Sequence, residues 1–193
     1  MSTPQPEAIV IGASAGAVEA LSTILPMLPK GYPLPLLVVV HIPPDRKCIL
    51  TELFRQKCEL EVQEADDKEP VVGGTIYFAP PDYHLQVEQN KTLSLSSDEA
   101  VSFSRPSIDV LFETAADAYG EHLIGVLLTG ANHDGSQGLR AIHDAGGTVL
   151  VQDPRQSLAP EMPQAAIAAC PDVKVLSLSE IACYLKEAAG TLI

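Results

Sequence analysis

The run Gly12-Ala13-Ser14-Ala15-Gly16 sets a single hydroxyl among small residues. A serine is a weak nucleophile at neutral pH. It needs a base within hydrogen-bond reach and a carboxylate to orient that base. His41 and Asp134 supply one of each. Acyl transfer from an ester is the chemistry such a set performs, with N–H groups at a helix start stabilising the oxyanion. Two other uses of the turn compete. A glycine-rich turn opening a helix also binds phosphate. The dinucleotide fingerprint, however, wants glycine where Ser14 stands and an acidic residue ending the next strand, and that strand ends in His41. The third use is structural: small residues let a helix pack closely on a sheet, and short glycine motifs recur by chance. His41 read alone is a strand-end histidine, and Asp134 read alone caps a helix starting near Gly135.

The elements that must position these residues follow from periodicity. Residues 8–11 are apolar and mostly β-branched and read as a buried strand, followed by a helix with Val18, Leu21, Ile24 and Leu25 on one stripe. Residues 34–41 form a second apolar strand, stopped by Pro43-Pro44, and Asp45 is placed to cap a helix over 46–57 with Ile49, Leu50, Leu53 and Phe54 facing inward. The middle third is β-rich. Strands are expected at 59–64 and 75–79, and a hairpin at 84–88 and 92–95, read together as an antiparallel insertion. Beyond it, Ser107 is a candidate cap for a helix over 108–119. Strands at 123–128, 148–151 and 173–176 alternate with helices near 139–143, 162–169 and 180–189, the last capped by Ser179.

Alternating strands and helices predict an α/β fold: a doubly wound, mostly parallel sheet with helices on both faces and an antiparallel hairpin insertion. Ligands in such folds bind outside the carboxyl ends of the strands. Ser14, His41 and Asp134 all fall at or just after such ends, so one edge of the sheet can gather them. Their order, Ser then His then Asp, differs from that of the α/β-hydrolases, and order is not a chemical requirement. Of the other histidines, His133 reads as an exposed loop residue and His122 and His143 as structural. His84 either lines a site or begins the hairpin.

The 193 residues suit one domain, with 1–7 expected as a flexible tail and 8–193 as the folded unit. No apolar run reaches membrane-spanning length, and the first residues carry no signal core, so a cytoplasmic protein without membrane insertion is expected. The net charge of −13 argues against a nucleic-acid partner. Cys48, Cys58, Cys170 and Cys183 show no zinc-ligand spacing and read as reduced thiols.

Several ordered stretches together resemble the catalytic domain of the CheB-type chemotaxis receptor methylesterase family. They are 11–16 around Ser14, 40–44 around His41, 77–84 ending in His84, 105–112 beginning with Arg105, 127–130 with Asp134-Gly135, and Met162-Pro163. The resemblance spans residues 8–185 and favours the nucleophile reading of Ser14. It implies hydrolysis of glutamate γ-methyl esters on the signalling helices of methylated chemoreceptors, with methanol released, and deamidation of receptor glutamines. By position, Ser14 would be the nucleophile, His41 the general base and acid, and Asp134 the partner of His41. The Ala15 N–H would be an oxyanion donor, and Ala131, His84, Arg105 and Met162 would line the substrate site. No metal or organic cofactor is implied. Ala15 stands where the family usually has Thr, Ala131 where it has Met and Asn132 where it has Gly. Well-known members carry a receiver domain. Its absence here leaves a stand-alone esterase, a separate receiver partner or an excised domain. The competing readings are a related serine esterase with another substrate and a non-catalytic module that docks to receptor arrays.

Overall fold

The fold is built outward from one strand buried on both faces. In the computed structural model, which describes residues 4–41 and 49–190, β1 (Ala8–Ala13) is buried along its whole length. Its side chains alternate between two cores. Ile9 and Ile11 join one, Ala8 and Val10 the other. A strand covered on both faces belongs in the middle of a parallel sheet. β2 (Leu36–Val40) pairs with β1 on one side and β7 (Leu123–Leu127) on the other, both parallel.

The remaining strands extend the sheet in both directions. β3 (Glu61–Glu64) and β4 (Thr75–Phe78) lie beyond β2; β8 (Thr148–Gln152) and β9 (Lys174–Leu176) lie beyond β7. The order is β3-β4-β2-β1-β7-β8-β9, parallel throughout. One face is covered by α1 (Ala17–Ile24), α2 (Ile49–Lys57) and α6 (Leu178–Ala188), whose Leu21, Phe54 and Leu185 are fully buried there. The other is covered by α3 (Ile108–Tyr119), α4 (Ser136–Asp144) and α5 (Glu161–Ala169), through residues such as Phe112, Ile142 and Met162. The chain leaves β1 in one direction to reach β2 and returns to its other side as β7. The crevice beyond the carboxyl ends of β1 and β7 is therefore the topological switch point.

Several local expectations change. Only β5 (His84–Val87) and β6 (Leu93–Ser96) form the antiparallel hairpin. β3 and β4 belong to the parallel sheet, so the insertion is smaller than the middle third. Val18 and Ile49 were expected on buried stripes but are 46% and 67% exposed. The last helix is capped by Ser177, not Ser179, in a reciprocal capping box with Glu180. Ser107 precedes α3 as expected, but its hydroxyl does not cap that helix. The Pro43-Pro44 stop, the Asp45 cap, the start of the second helix at 46–48 and Cys48 lie outside the described residues.

Candidate active site

The turn after β1 is held from the neighbouring strand. Ser14 N–H donates to the Thr129 carbonyl at 2.9 Å, and the Thr129 hydroxyl donates to the Ala15 carbonyl at 2.8 Å. The Thr129 N–H is itself tied to Gln152 Oε1 of β8 at 2.9 Å. Gly16 closes the turn at φ +86°, a left-handed conformation that suits glycine, and α1 begins at the next residue. Ser14 is left half-buried and Ala15 exposed. Among the described residues, neither the Ala15 nor the Gly16 N–H donates a backbone hydrogen bond. Both N–H groups stand at the start of α1, where a helix end attracts negative charge.

His41 directly follows β2. Its N–H donates to the Ala13 carbonyl at 3.2 Å, which fixes the strand end beside the serine turn. Its Nε2 lies 2.7 Å from Asp134 Oδ2. Asp134 is fully buried, whereas the His41 side chain is 13% exposed.

Asp134 is the most tightly held side chain of the site. Oδ1 accepts the Ser107 hydroxyl at 2.8 Å and the Asp109 N–H at 3.0 Å. Oδ2 accepts the Ile108 N–H at 2.7 Å in addition to His41. These four donors occupy the roughly four acceptor positions of an ionised carboxylate. Burial alone would raise its pKa. The His41 hydrogen bond and the N–H groups of Asp109 and Ile108 outweigh burial and hold it below the ordinary carboxylate range. Asp134 thus caps the start of α3, which lies far from it in sequence. The helix that follows it, α4, starts instead behind Gly135 at φ +94° with no side-chain cap.

An acceptor-only carboxylate dictates the histidine tautomer. Nε2 must carry the proton it donates to Asp134, and in the neutral ring Nδ1 then holds the lone pair. Nδ1 is therefore the ring nitrogen able to accept a proton. Beside His41 and Ser14 opens a groove of about 810 Å³ with Val18, Ile49, Leu50 and Leu53 on its walls. Exposed Val18 and Ile49 face this groove.

The structure brings Ser14, His41 and Asp134 to one edge of the sheet. The other sequence-selected residues fall into two groups. Ala15 and Ala131 are exposed beside the turn and the Asp134 loop. His84 and Met162 are buried, at 2% and 0% exposure, and lie behind the site. His84 Nδ1 accepts the Ser107 N–H at 3.1 Å and its Nε2 donates to the Glu99 carbonyl at 2.9 Å. Met162 N–H donates to the Gly130 carbonyl at 2.9 Å. Arg105 pairs with Asp82 at 2.6 Å and binds the Ser97 and Asp98 carbonyls at 3.0 Å, bracing the segment before Ser107. Sequence reasoning missed the hydroxyl of Ser107 as an Asp134 ligand. It also missed Asp109, which accepts the Gly138 N–H at 2.7 Å just behind Asp134. An acidic residue in the first turn of α3 was the available signal for Asp109.

Comparison with known proteins identifies the family. Residues 9–185 match the family model described as CheB methylesterase. A Leptospira interrogans protein, provisionally named a protein-glutamate methylesterase/protein-glutamine glutaminase, is 49% identical over 176 residues, 91% of each chain. A Rhodospirillum rubrum protein-glutamate methylesterase/protein-glutamine glutaminase is 40% identical over 96% of this chain, which spans 49% of that relative. Among solved structures, the Thermotoga maritima CheB methylesterase catalytic domain superimposes with a TM-score of 0.89 at 34% identity, covering 94% of this chain and 98% of that one.

Proposed function

This chain belongs to the CheB methylesterase family, and from that premise we propose that it is a serine carboxylic-ester hydrolase acting on glutamate γ-methyl esters of methylated chemoreceptors. Ser14, His41 and Asp134 carry the chemistry in this reading. The observation that supports it most is the 2.7 Å contact between His41 Nε2 and the buried, fully ligated Asp134, at the sheet edge where Ser14 stands.

The steps follow from the tautomer. Nδ1 of His41 takes the Ser14 hydroxyl proton as Oγ bonds to the ester carbonyl carbon. The carbonyl oxygen becomes an oxyanion, and in this reading the Ala15 N–H near the start of α1 receives it. Nδ1 then returns the proton to the departing methoxide, and methanol leaves as the carbon–oxygen bond breaks. Water attacks the acyl-serine, giving its proton to Nδ1. The Ser14–carbon bond breaks, Oγ regains that proton, and glutamate is released. Asp134 keeps its charge throughout and stabilises the imidazolium. A glutamine side chain enters the same sequence with ammonia as the leaving group, in line with the second activity in the relatives' names.

Among the described residues no helix is long and apolar enough to cross a membrane. We place the reaction in the cytoplasm, on receptor signalling helices. The test is methanol release from a methylated receptor signalling domain, with ammonia release from its glutamine form alongside. Release by the wild type that vanishes in Ser14→Ala supports the reading. Release from small methyl esters alone would point to the related-esterase reading. Receptor binding without turnover by a folded protein would point to the docking module.

A further inference from the structure

One residue of the site has no part in the scheme above. Asn132 lies in the loop between β7 and Asp134, and its side-chain amide reaches both partners of the charge pair. Oδ1 accepts the Asp134 N–H at 3.1 Å, and Nδ2 lies 3.3 Å from His41 Nδ1. A backbone N–H can only donate, so Oδ1 must face Asp134 and the NH₂ group must face the histidine. An NH₂ group can only donate, so Nδ1 must accept. The requirement at Asn132 agrees with the one Asp134 imposes from the other side of the ring.

We infer that Asn132 is a positioning residue for the base: it clamps the His41 ring in the tautomer that leaves Nδ1 basic, and it yields that lone pair to Ser14 when substrate binds. This rests on the reading of His41 as the base. Nδ1 has a single in-plane lone pair, so Asn132 and Ser14 share it in turn. At 3.3 Å the Asn132 contact is long for a hydrogen bond and is readily exchanged. The contact exists only with the neutral ring. Protonation of Nδ1 would break it. Of the charged groups around it, Asp134 touches the ring, Asp109 of α3 stands behind Asp134, and Glu19 of α1 and Lys57 of α2 line the same groove as His41.

Asn132→Asp and Asn132→Gly separate this role from simple loop bracing. Aspartate keeps the acceptor for the Asp134 N–H but turns an acceptor toward Nδ1, which favours a proton there. Bracing is retained while the clamp is inverted. The readout is the rate of Ser14 labelling by a fluorophosphonate across pH, beside the titration of the His41 ring followed by nitrogen-15 NMR. For Asn132→Asp the acid limb of labelling should move up by about one pH unit or more, with the rate recovering above it. A profile superimposable on the wild type overturns the inference. Should Asn132→Asp not fold, Asn132→Gly decides: its His41 titration must lie at higher pH than the wild type, and an unchanged titration overturns the inference. Wild-type protein that takes no label on Ser14 would instead sink the nucleophile reading, whereas the NMR titration reports on Asn132 without any catalysis.

Discussion

His41 meets Asp134 through Nε2, 2.7 Å from Oδ2, and so leaves Nδ1 facing Asn132 Nδ2, 3.3 Å away. The more familiar serine-protease arrangement uses the ring the other way round. Which nitrogen works is decided by where the carboxylate lies. Asp134 sits at the start of α3, beneath the end of β2, where it receives the N–H groups of Ile108 and Asp109. The helix start that stabilises the carboxylate also fixes the direction from which the ring is approached.

Replacing Ser14 by alanine should abolish turnover without loosening the fold. Losing the nucleophile of a triad costs on the order of 10⁴-fold or more in rate. The turn is held by the Ser14 N–H and by Thr129, and neither depends on the Ser14 hydroxyl. Methanol release should fall to background while the thermal midpoint stays within about 2 °C of the wild type. A large drop in the midpoint would show that the hydroxyl has a structural role.

Asp134→Ala should lose both activity and stability. The change leaves the Ser107 hydroxyl and two backbone N–H groups without their acceptor in a buried place. Such groups cost about 1–3 kcal/mol each when unpaired, so a total of about 3–5 kcal/mol after partial relaxation is expected in denaturant melts. The folded carboxyl sits below its ordinary range. Its contribution is therefore full above the unfolded carboxylate pKa and disappears as pH falls through the lower folded value. The gap between variant and wild type should narrow in strong acid, leaving the pH-independent cost of the unpaired donors. A gap that stays constant with pH would assign the loss to packing instead of charge.

These two residues also mark how far the sequence could be read. The strand-turn-helix around Ser14 is legible because its determinants are local: four apolar residues, five small ones, then a helical stripe. Asp134 was legible as a carboxylate at a strand end, but the local rule that an Asp before a helix caps it pointed to α4. Packing of α3 against β1 and α4 decided otherwise. Val18 and Ile49 misled for a related reason. Apolar periodicity reports a face suited to burial, and here that face is an open groove beside Ser14. Ser107 and the His41 contact of Asn132 could not be assigned because the partners lie 27 and 91 residues away. Nothing in their neighbours specifies those contacts.

Asp109 should make the protein less stable above mild acid, and its removal should reverse this. Burial, then the charges of Asp134 and Glu113, push its carboxyl from 3.8 to about 6, against the opposing Gly138 N–H. The folded state thus binds this proton more tightly than the unfolded chain does. From pH about 4 to about 6, the group increasingly favours unfolding, and the cost persists above that. Asp109→Asn keeps an oxygen for the Gly138 N–H and has no charge to bury. It should be more stable than the wild type at pH 7, by on the order of 2 kcal/mol. The advantage should shrink to nothing near pH 4. An advantage that is equal at both values would trace to packing and not to the proton.

Gly12 should couple the sheet to the carboxylate. A Cβ at Gly12 would stand 2.4 Å from Ile108 Cγ2, inside contact distance. Ile108 N–H is the 2.7 Å donor to Asp134 Oδ2, so a shift of the first turn of α3 moves the group that holds the charge. Gly12→Ala should destabilise by about 1–3 kcal/mol through overpacking. A displacement approaching 1 Å at the pair would also lower turnover by about 10²-fold. Gly31→Ala is the matched control. Gly31 has a φ of +83° and nothing within 4 Å of an added Cβ. It should lose about 1–2 kcal/mol from backbone strain alone. It lies away from the site, so its turnover at a temperature where both variants are folded should equal the wild type. Equal turnover in the two variants would show that the Gly12 contact supports the fold but not the alignment of Asp134 with His41.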